Sequence, residues 1–481
     1  MNRAVSRNFA FIAVSNVLAP MFSLVLVLAI SRFQGVEVLG KYSLLMGVFV
    51  FGMSVAGFGL PVVITREVAQ SPRDAGRWFV NAAALSAAIA LPLLVVALLA
   101  CAKWADDGDM ALALGLTALT VLPSAVTQCA EAVLLAYERA HDFVMINLAE
   151  TALRAVAGTL LVLGGWGVVA IAVLLLVLRI VAAVAFVVVL RWRGVHTPTR
   201  VESVLIRRLL SYIPVTGLIP VVNALYARAD VFLLSSLASW RDVGLYSAAL
   251  RLVDLARTVT PAYARAMYPV LARLRATGET EYAEVARRAT RNGLLLTAPI
   301  VLVLYGCADL LIRLLFGPAL APAADTLRIL AWAVIPFALA IVLAQVLFAS
   351  DRQAVDLGVN LASMAVSGLA AVVLIPRFGA AGAALAAVAA SSAYASLQYA
   401  GVVRWAVPLG MGSDLWRLAL AMAGALLVLH ATYAAGQVVA TGLALVALAA
   451  LLAATGLLPM SEVRRRLGWG GLAAAKRGMV L

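Results

Sequence analysis

The sequence predicts an all-α membrane protein that crosses the bilayer about fourteen times and is built from two related halves. Three observations predict it. Hydrophobic residues make up 64% of the 481 positions and charged residues only 12%, and apolar runs long enough to span a bilayer recur from end to end. The chain also repeats itself. Glu37-Val-Leu-Gly40-Lys-Tyr42-Ser43 follows the first apolar run, and Asp242-Val-Gly244-Leu-Tyr246-Ser247 returns roughly two hundred residues later, an acidic residue followed by Gly-x-Tyr-Ser each time. Finally, the basic residues gather in alternate connections, the pattern that sets the orientation of a polytopic chain.

Taken in order, spans are expected near 8–31, 42–64, 78–101, 111–134, 143–164 and 166–190 in a first lobe, residues 1–190. The first run carries Asn16 and Pro20 and lacks a small-residue cleavage site, so it reads as a retained helix. Residues 191–208 are basic, contain Pro198 and hold no apolar run, and read as a cytoplasmic linker. Spans near 209–237, 245–268, 290–313, 325–349, 354–376 and 380–405 form a second lobe, residues 209–405. Each lobe has an even number of spans, so the repeat is expected to be parallel, with its axis along the membrane normal. Residues 406–481 add two Ala/Leu/Gly-rich spans near 414–434 and 437–457 and a basic tail with Arg464-Arg-Arg466.

If Met1 is cytoplasmic, 25 of the 37 Lys and Arg residues fall in inner segments, 7 in outer ones, and 5 inside spans. That bias places both termini in the cytoplasm. The acidic Asp106, Asp107 and Asp109 fall outside. The net charge of +14 is therefore topological, and no nucleic-acid partner is implied. The tail cluster reads as an inner anchor that attracts anionic membrane lipids.

Soluble chemistry is missing. No Gly-x-x-x-x-Gly-Lys-Ser/Thr loop, Gly-x-Ser-x-Gly elbow, His-Glu-x-x-His or paired-cysteine spacing occurs. Cys101, Cys129 and Cys307 are scattered in apolar sequence, as are His141, His196 and His430, so no disulfide, metal or cofactor is indicated. Gly52 to Gly59 and Gly379-Ala-Ala-Gly382 are read as helix-packing glycines. The outer connections are short, which argues against a glycosyl-transferring or polymerising enzyme.

The informative chemistry is charge inside the membrane, where each charged side chain costs about 2.5–3.5 kcal/mol at a helix centre and must face protein or water. Arg154 and Arg179 fall at equal depth on spans five and six, and Glu150 lies one turn from Arg154. For this cluster a helix-locking bridge and a functional role stay equally open. Asp230 and Arg251 fall at equal depth on spans seven and eight. Asn223, Tyr226 and Asp230 make one polar stripe, and Arg251, Asp254 and Thr258 another. Two such stripes suggest a wet cavity wall on a substrate pathway. Arg228 and Arg257 lie off the stripes. Glu131, with Gln128 on its face, is a gate or proton site or else an interfacial helix end.

Ser31-Arg-Phe-Gln-Gly35-Val-Glu-Val-Leu-Gly40-Lys-Tyr42, Gly57-Phe-Gly59-Leu and Thr65-Arg66-Glu67, with Arg228-Ala-Asp230-Val-Phe-Leu-Leu running into Asp242-Val-Gly-Leu-Tyr246-Ser-Ala-Ala, resemble the polysaccharide transporter (Wzx-type) branch of the multidrug/oligosaccharidyl-lipid/polysaccharide exporter superfamily. The resemblance covers nearly the whole chain. It implies a MATE- and MurJ-like pair of six-helix lobes in a bacterial inner membrane that flips polyprenyl-pyrophosphate-linked oligosaccharide, with polysaccharide polymerase and chain-length proteins as further partners. It also implies that spans one, two, seven and eight border the central cavity, where the Asp230, Arg251 and Asp254 stripes fall. An arginine-rich cavity suits pyrophosphate, since guanidinium forks bind it by paired charge-assisted hydrogen bonds. On this reading Arg154, Arg179, Glu150, Arg228, Asp230, Arg251, Asp254 and Arg257 are the substrate-site candidates. The competing readings are a peptidoglycan-precursor (lipid II) flippase and a cation-coupled multidrug exporter of the same fold. The exporter calls for a net acidic cavity.

Overall fold

The computed structural model describes residues 3–101, 107–196, 198, 200–226, 228–275 and 278–458. The expected Arg464–Arg466 anchor, Lys103 and Asp106 lie outside them, as do the side chains of Asn16, Cys101, Asn223 and Tyr226. The regular secondary structure of the described residues is entirely helical, without a strand. Ten of their helical segments are long and apolar enough to cross a membrane, and Leu18–Phe33 is a shorter apolar helix. The chain is thus an all-α, multi-pass membrane protein.

Two compact units divide it, Met1–Ser247 and Ala248–Leu481. The first contains α1 (Arg3–Phe33), α2 (Val36–Gly57), α3 (Leu60–Gln70), α4 (Ala75–Cys101), α5 (Gly108–Leu119), α6 (Val121–Ala136), α7 (Ala140–Leu163), α8 (Val168–Trp192), α9 (Ser203–Thr216), α10 (Leu218–Tyr226), α11 (Ala229–Leu237) and the opening turns of α12 (Trp240–Arg257). The second contains the rest of α12, then α13 (Val259–Arg275), α14 (Glu279–Gly306), α15 (Ala308–Phe316), α16 (Ala323–Ala331), α17 (Val334–Ala349), α18 (Gln353–Trp405), α19 (Gly412–Thr432) and α20 (Gln437–Ala454).

Several expected spans are interrupted, and the interruptions have local causes. The 42–64 run breaks at Phe58 (φ 38°) and Gly59 (φ 72°), where the glycine takes a left-handed conformation that costs other residues steric energy. The 209–237 run becomes α9, α10 and α11, with Pro214 and Pro220 inside it; proline removes a helical donor and crowds the preceding turn. Conversely, α18 takes in both expected spans 354–376 and 380–405. It folds back at Gly379 (φ 53°, ψ −126°), because a straight helix would separate Asp356 from Gln398 by roughly 60 Å at 1.5 Å per residue, whereas Gln398 Nε2 donates to Asp356 Oδ1 at 2.6 Å.

Packing follows membrane rules, in which close backbone approach replaces water exclusion as the force between helices. In the first unit, Gly158 of α7 faces Leu26 of α1 so closely that a Cβ there would lie 2.8 Å from Leu26 Cδ1. The opposite face of α7 carries exposed Leu153, Val156, Leu160 and Leu163 at helical spacing, a stripe suited to lipid. Trp78, Phe79, Cys129, Val133, Phe186 and Leu190 join α4, α6 and α8 in one buried cluster. In the second unit, Arg287 of α14 holds Asp414 of α19 through Nε at 2.8 Å and Nη2 at 3.1 Å, and Gly306 of α14 abuts Thr441 of α20.

Candidate functional site

Arg179 is the largest fully buried side chain, 2% exposed, in the middle of α8. Its guanidinium is satisfied in three directions. Nε donates to Ser124 Oγ at 2.9 Å, Nη2 to Thr127 Oγ1 at 2.6 Å, and Nη1 to Glu150 Oε2 at 3.0 Å. Ser124 and Thr127 lie on α6 and Glu150 on α7, so one arginine ties three helices together. A buried charge is tolerated when it is paired and hydrogen-bonded, and here each of the three nitrogens has a partner.

Arg154 differs. Glu150, one turn away, is engaged by Arg179, and among the described residues no ion pair joins Arg154. Its Nη2 makes a long 3.4 Å bond to Thr151 Oγ1, while Nη1 is out of solvent without a partner. The guanidinium lies 5.6 Å from the centre of the Phe49 ring of α2, and that of Arg179 lies 5.8 Å from the same centre. The ring's negative face offsets part of the positive charge. Glu150 therefore compensates Arg179 and leaves Arg154 with donors to offer.

In the first unit Asp230 opens α11. Its Oδ1 accepts from the Val231 amide at 2.8 Å, and its Oδ2 from the hydroxyl of Tyr246, which is fully buried. Arg228, half-buried, immediately precedes that helix. In the second unit Arg251 is half-buried and Asp254 exposed on α12. Thr258 lies beyond the end of α12 and turns its hydroxyl to Leu255 O at 2.7 Å. Arg257 stacks on Phe337, 4.9 Å from the ring centre, with Nε buried and unpartnered.

The two echoed segments touch. A Cβ on Gly40 would lie 2.1 Å from Trp240 O and 3.0 Å from Gly244 N, and a Cβ on Gly244 would lie 2.1 Å from Val36 O. The glycine of each segment therefore meets the first residue of the other's helix, a reciprocal crossing that only hydrogen at Cα permits. Lys41 beside it pairs with Asp107, and the Lys41 ammonium draws the Asp107 carboxyl below the usual carboxylate range.

Three residues escaped the sequence reading as a group. Glu67, buried in α3, accepts from Arg66 Nη2 at 2.8 Å and from Arg208 Nη2 of α9 at 2.6 Å. Arg208 lies over Trp78 and Arg66 over Tyr212. Alongside, a cleft of about 500 Å³ is lined by Thr65, Arg66, Gln128 and Glu131, and Glu131 accepts from Asn147 at 3.1 Å. The Thr65-Arg66-Glu67 run was the available signal, but its partner on α9 is 141 residues away. Among the described residues no group of three or more His, Cys, Asp or Glu side chains could hold a metal.

Comparison with known proteins adds the following. A family described as "Polysaccharide biosynthesis protein" matches residues 27–325. No curated protein matches the sequence. Among solved structures, the lipid II flippase MurJ in an inward closed conformation is similar at 12% identity and TM-score 0.70, over 92% of this chain and 98% of that one. An inward-facing multidrug resistance MATE family transporter of the MOP superfamily is similar at 16% identity and TM-score 0.65, over 80% of this chain and 94% of that one. Both likenesses concern the fold.

Proposed function

Because the chain belongs to the polysaccharide biosynthesis protein family, with the fold of MOP-superfamily transporters, we propose that it flips polyprenyl-pyrophosphate-linked oligosaccharide across a bacterial inner membrane. It does so by alternating access, with both termini and residues 191–208 in the cytoplasm. The observation that carries this reading is Arg154, a guanidinium within an apolar helix with one nitrogen buried and unpartnered and the nearby carboxylate already committed to Arg179. An uncompensated cation in low dielectric favours an anionic ligand, and a pyrophosphate offers the acceptors its fork can use. Arg228, Arg251 and Arg257 supply further positive charge on this reading, with Asp230 and Asp254 tuning it, while the polyprenyl tail stays in lipid. Polymerase and chain-length proteins would take up the product outside.

The likeness to MurJ over nearly its whole length favours lipid II as the second reading. Lipid extracts of a strain lacking the chain separate the two. A lipid-linked oligosaccharide repeat unit is expected to accumulate on the inner leaflet, whereas accumulation of lipid II would move the assignment to the peptidoglycan precursor.

A further inference from the structure

The cleft of about 500 Å³ between α3, α6 and α7 of the first unit has the volume of a small-molecule site. Its walls are apolar at Val62, Leu135 and Phe143 and polar at Arg66, Gln128 and Glu131. These polar groups have capacity to spare. Gln128 is half-buried in α6, yet among the described residues its amide makes no hydrogen bond. Glu131, one turn on, accepts from Asn147 Nδ2 at 3.1 Å through Oε1, and its other oxygen has no partner among the described residues. Arg66 gives Nη2 to Glu67 and lies over Tyr212, 4.8 Å from the ring centre; a guanidinium has five N–H donors, so others remain for the cleft.

The mixture decides what fits. An anion needs donors and is repelled by Glu131, and a cation needs acceptors and is repelled by Arg66. Arg66 and Arg208 already share Glu67, and Glu131 brings the four side chains to no net formal charge. An acyl chain would leave three polar groups without water or partner, which is costly. A sugar ring suits the cleft, because each hydroxyl both donates and accepts and the C–H faces of the ring can lie against Val62, Leu135 and Phe143.

A second observation relates the cleft to Arg154. Phe143, Asn147, Thr151 and Arg154 fall at i, i+4, i+8 and i+11 on α7, all half-buried, and so share one face of the helix. The Thr151 hydroxyl links them, donating to Asn147 O at 2.8 Å and accepting from Arg154 Nη2 at 3.4 Å. At 1.5 Å per residue Asn147 lies about 10 Å along α7 from Arg154. A ligand with its pyrophosphate on Arg154 has the cleft within reach of the sugar bonded to that group.

We propose that this cleft binds the sugar next to the pyrophosphate and selects an uncharged one, with Glu131 and Gln128 taking its hydroxyls and Arg66 donating to its oxygens. The proposal rests on the translocation reading and adds to it the residues that choose the sugar. A neutral sugar meets complementary groups on both sides, including hydrogen bonds to charged partners, which are the stronger kind. An acidic sugar meets the Glu131 carboxylate.

The test is equilibrium binding of the purified full-length chain, in detergent, to three kinds of short-chain lipid: polyprenyl pyrophosphate, the same lipid carrying one neutral hexose (gluco, galacto or manno), and the same lipid carrying one hexuronic acid. The wild type is expected to bind at least one hexose lipid about tenfold more tightly than the bare lipid, the worth of one hydrogen bond to a charged group, and more tightly than the hexuronate. Glu131→Gln, which keeps shape and removes charge, is expected to lose most of that gain while binding the bare lipid as the wild type does. Ala69→Trp fills the cleft from an exposed position and is expected to do the same, which keeps the test open if Glu131→Gln fails to fold. Equal affinity of the wild type for the bare lipid and all three hexose lipids would overturn the subsite. So would a preference for the hexuronate, or a gain undiminished in folded Glu131→Gln or in Ala69→Trp. Any of these results with the bare lipid bound by the wild type and lost in Arg154→Ala leaves the translocation reading standing, whereas a wild type that binds none of the lipids overturns both.

Discussion

Arg154 and Arg179 both lie within 6 Å of the Phe49 ring centre in the first unit but differ in their partners. Arg179 has every nitrogen engaged, so Arg179→Ala strands the buried Glu150. Losing one partner of a buried pair typically costs about 3–5 kcal/mol, and the variant is expected to melt well below the wild type in detergent. Arg154→Ala should leave the melting midpoint close to that of the wild type and abolish translocation in vesicles. Arg154→Lys should restore only part of the activity, because a point charge does not reproduce the fork. Equal melting losses in Arg154→Ala and Arg179→Ala would make both arginines braces. The sequence made all three residues of this cluster visible, through the price of charge in an apolar run. It suggested Glu150 with Arg154 because i,i+4 spacing is the one pairing that a single helix displays. The actual pairing depends on Ser124 and Thr127 of α6, which no spacing within α7 or α8 encodes.

At the scale of elements, the two echoed segments meet in a contact. Gly40 and Gly244 were legible as an echo but not as neighbours, since nothing in either segment names the other. Gly244→Val is expected to force the crossing apart, because even a Cβ there would lie 2.1 Å from Val36 O. Thiol labelling of a cysteine at Ser43 should rise several-fold while export falls, and unchanged labelling would deny the crossing a closing role. The breaks at Gly59 and Gly379 were likewise signalled by glycine, but glycine alone does not say whether a helix kinks, ends or folds back. Glu202, in the segment just before α9, is clamped at α4: Arg77 donates to it through Nε at 2.8 Å and Nη2 at 2.6 Å, and Asn81 accepts from the Glu202 amide at 2.6 Å. The hydrogen bond from Arg77 holds the Glu202 carboxyl below its ordinary value. Its contribution is therefore complete above that ordinary value, about 4.3, and is lost as pH falls through the lowered one. A solvent-sensitive dye on a cysteine at Val201 should report release of the segment only below about pH 4. In Glu202→Gln the segment should be loose at neutral pH, with no such transition.

For the whole molecule, composition and hydropathy sufficed for an all-helical, multi-pass chain, because the bilayer leaves so few ways to satisfy a backbone. The number of spans was less legible. About fourteen were expected, and ten segments meet the length and hydropathy criteria among the described residues, since prolines and glycines divide some runs and one 53-residue helix joins two. The charged residues within apolar runs were legible in the sequence and their partners were not, as Arg179 with Ser124 and Thr127 shows. The most direct measurement of the central claim is translocation in proteoliposomes. The purified chain is reconstituted with polyprenyl-pyrophosphate-linked oligosaccharide in the inner leaflet, and a membrane-impermeant lectin added outside reads its appearance. Wild-type vesicles are expected to expose the sugar far faster than protein-free vesicles, and Arg154→Ala vesicles no faster. Wild-type exposure no faster than in protein-free vesicles, in preparations where the same chain moves lipid II, would contradict the account.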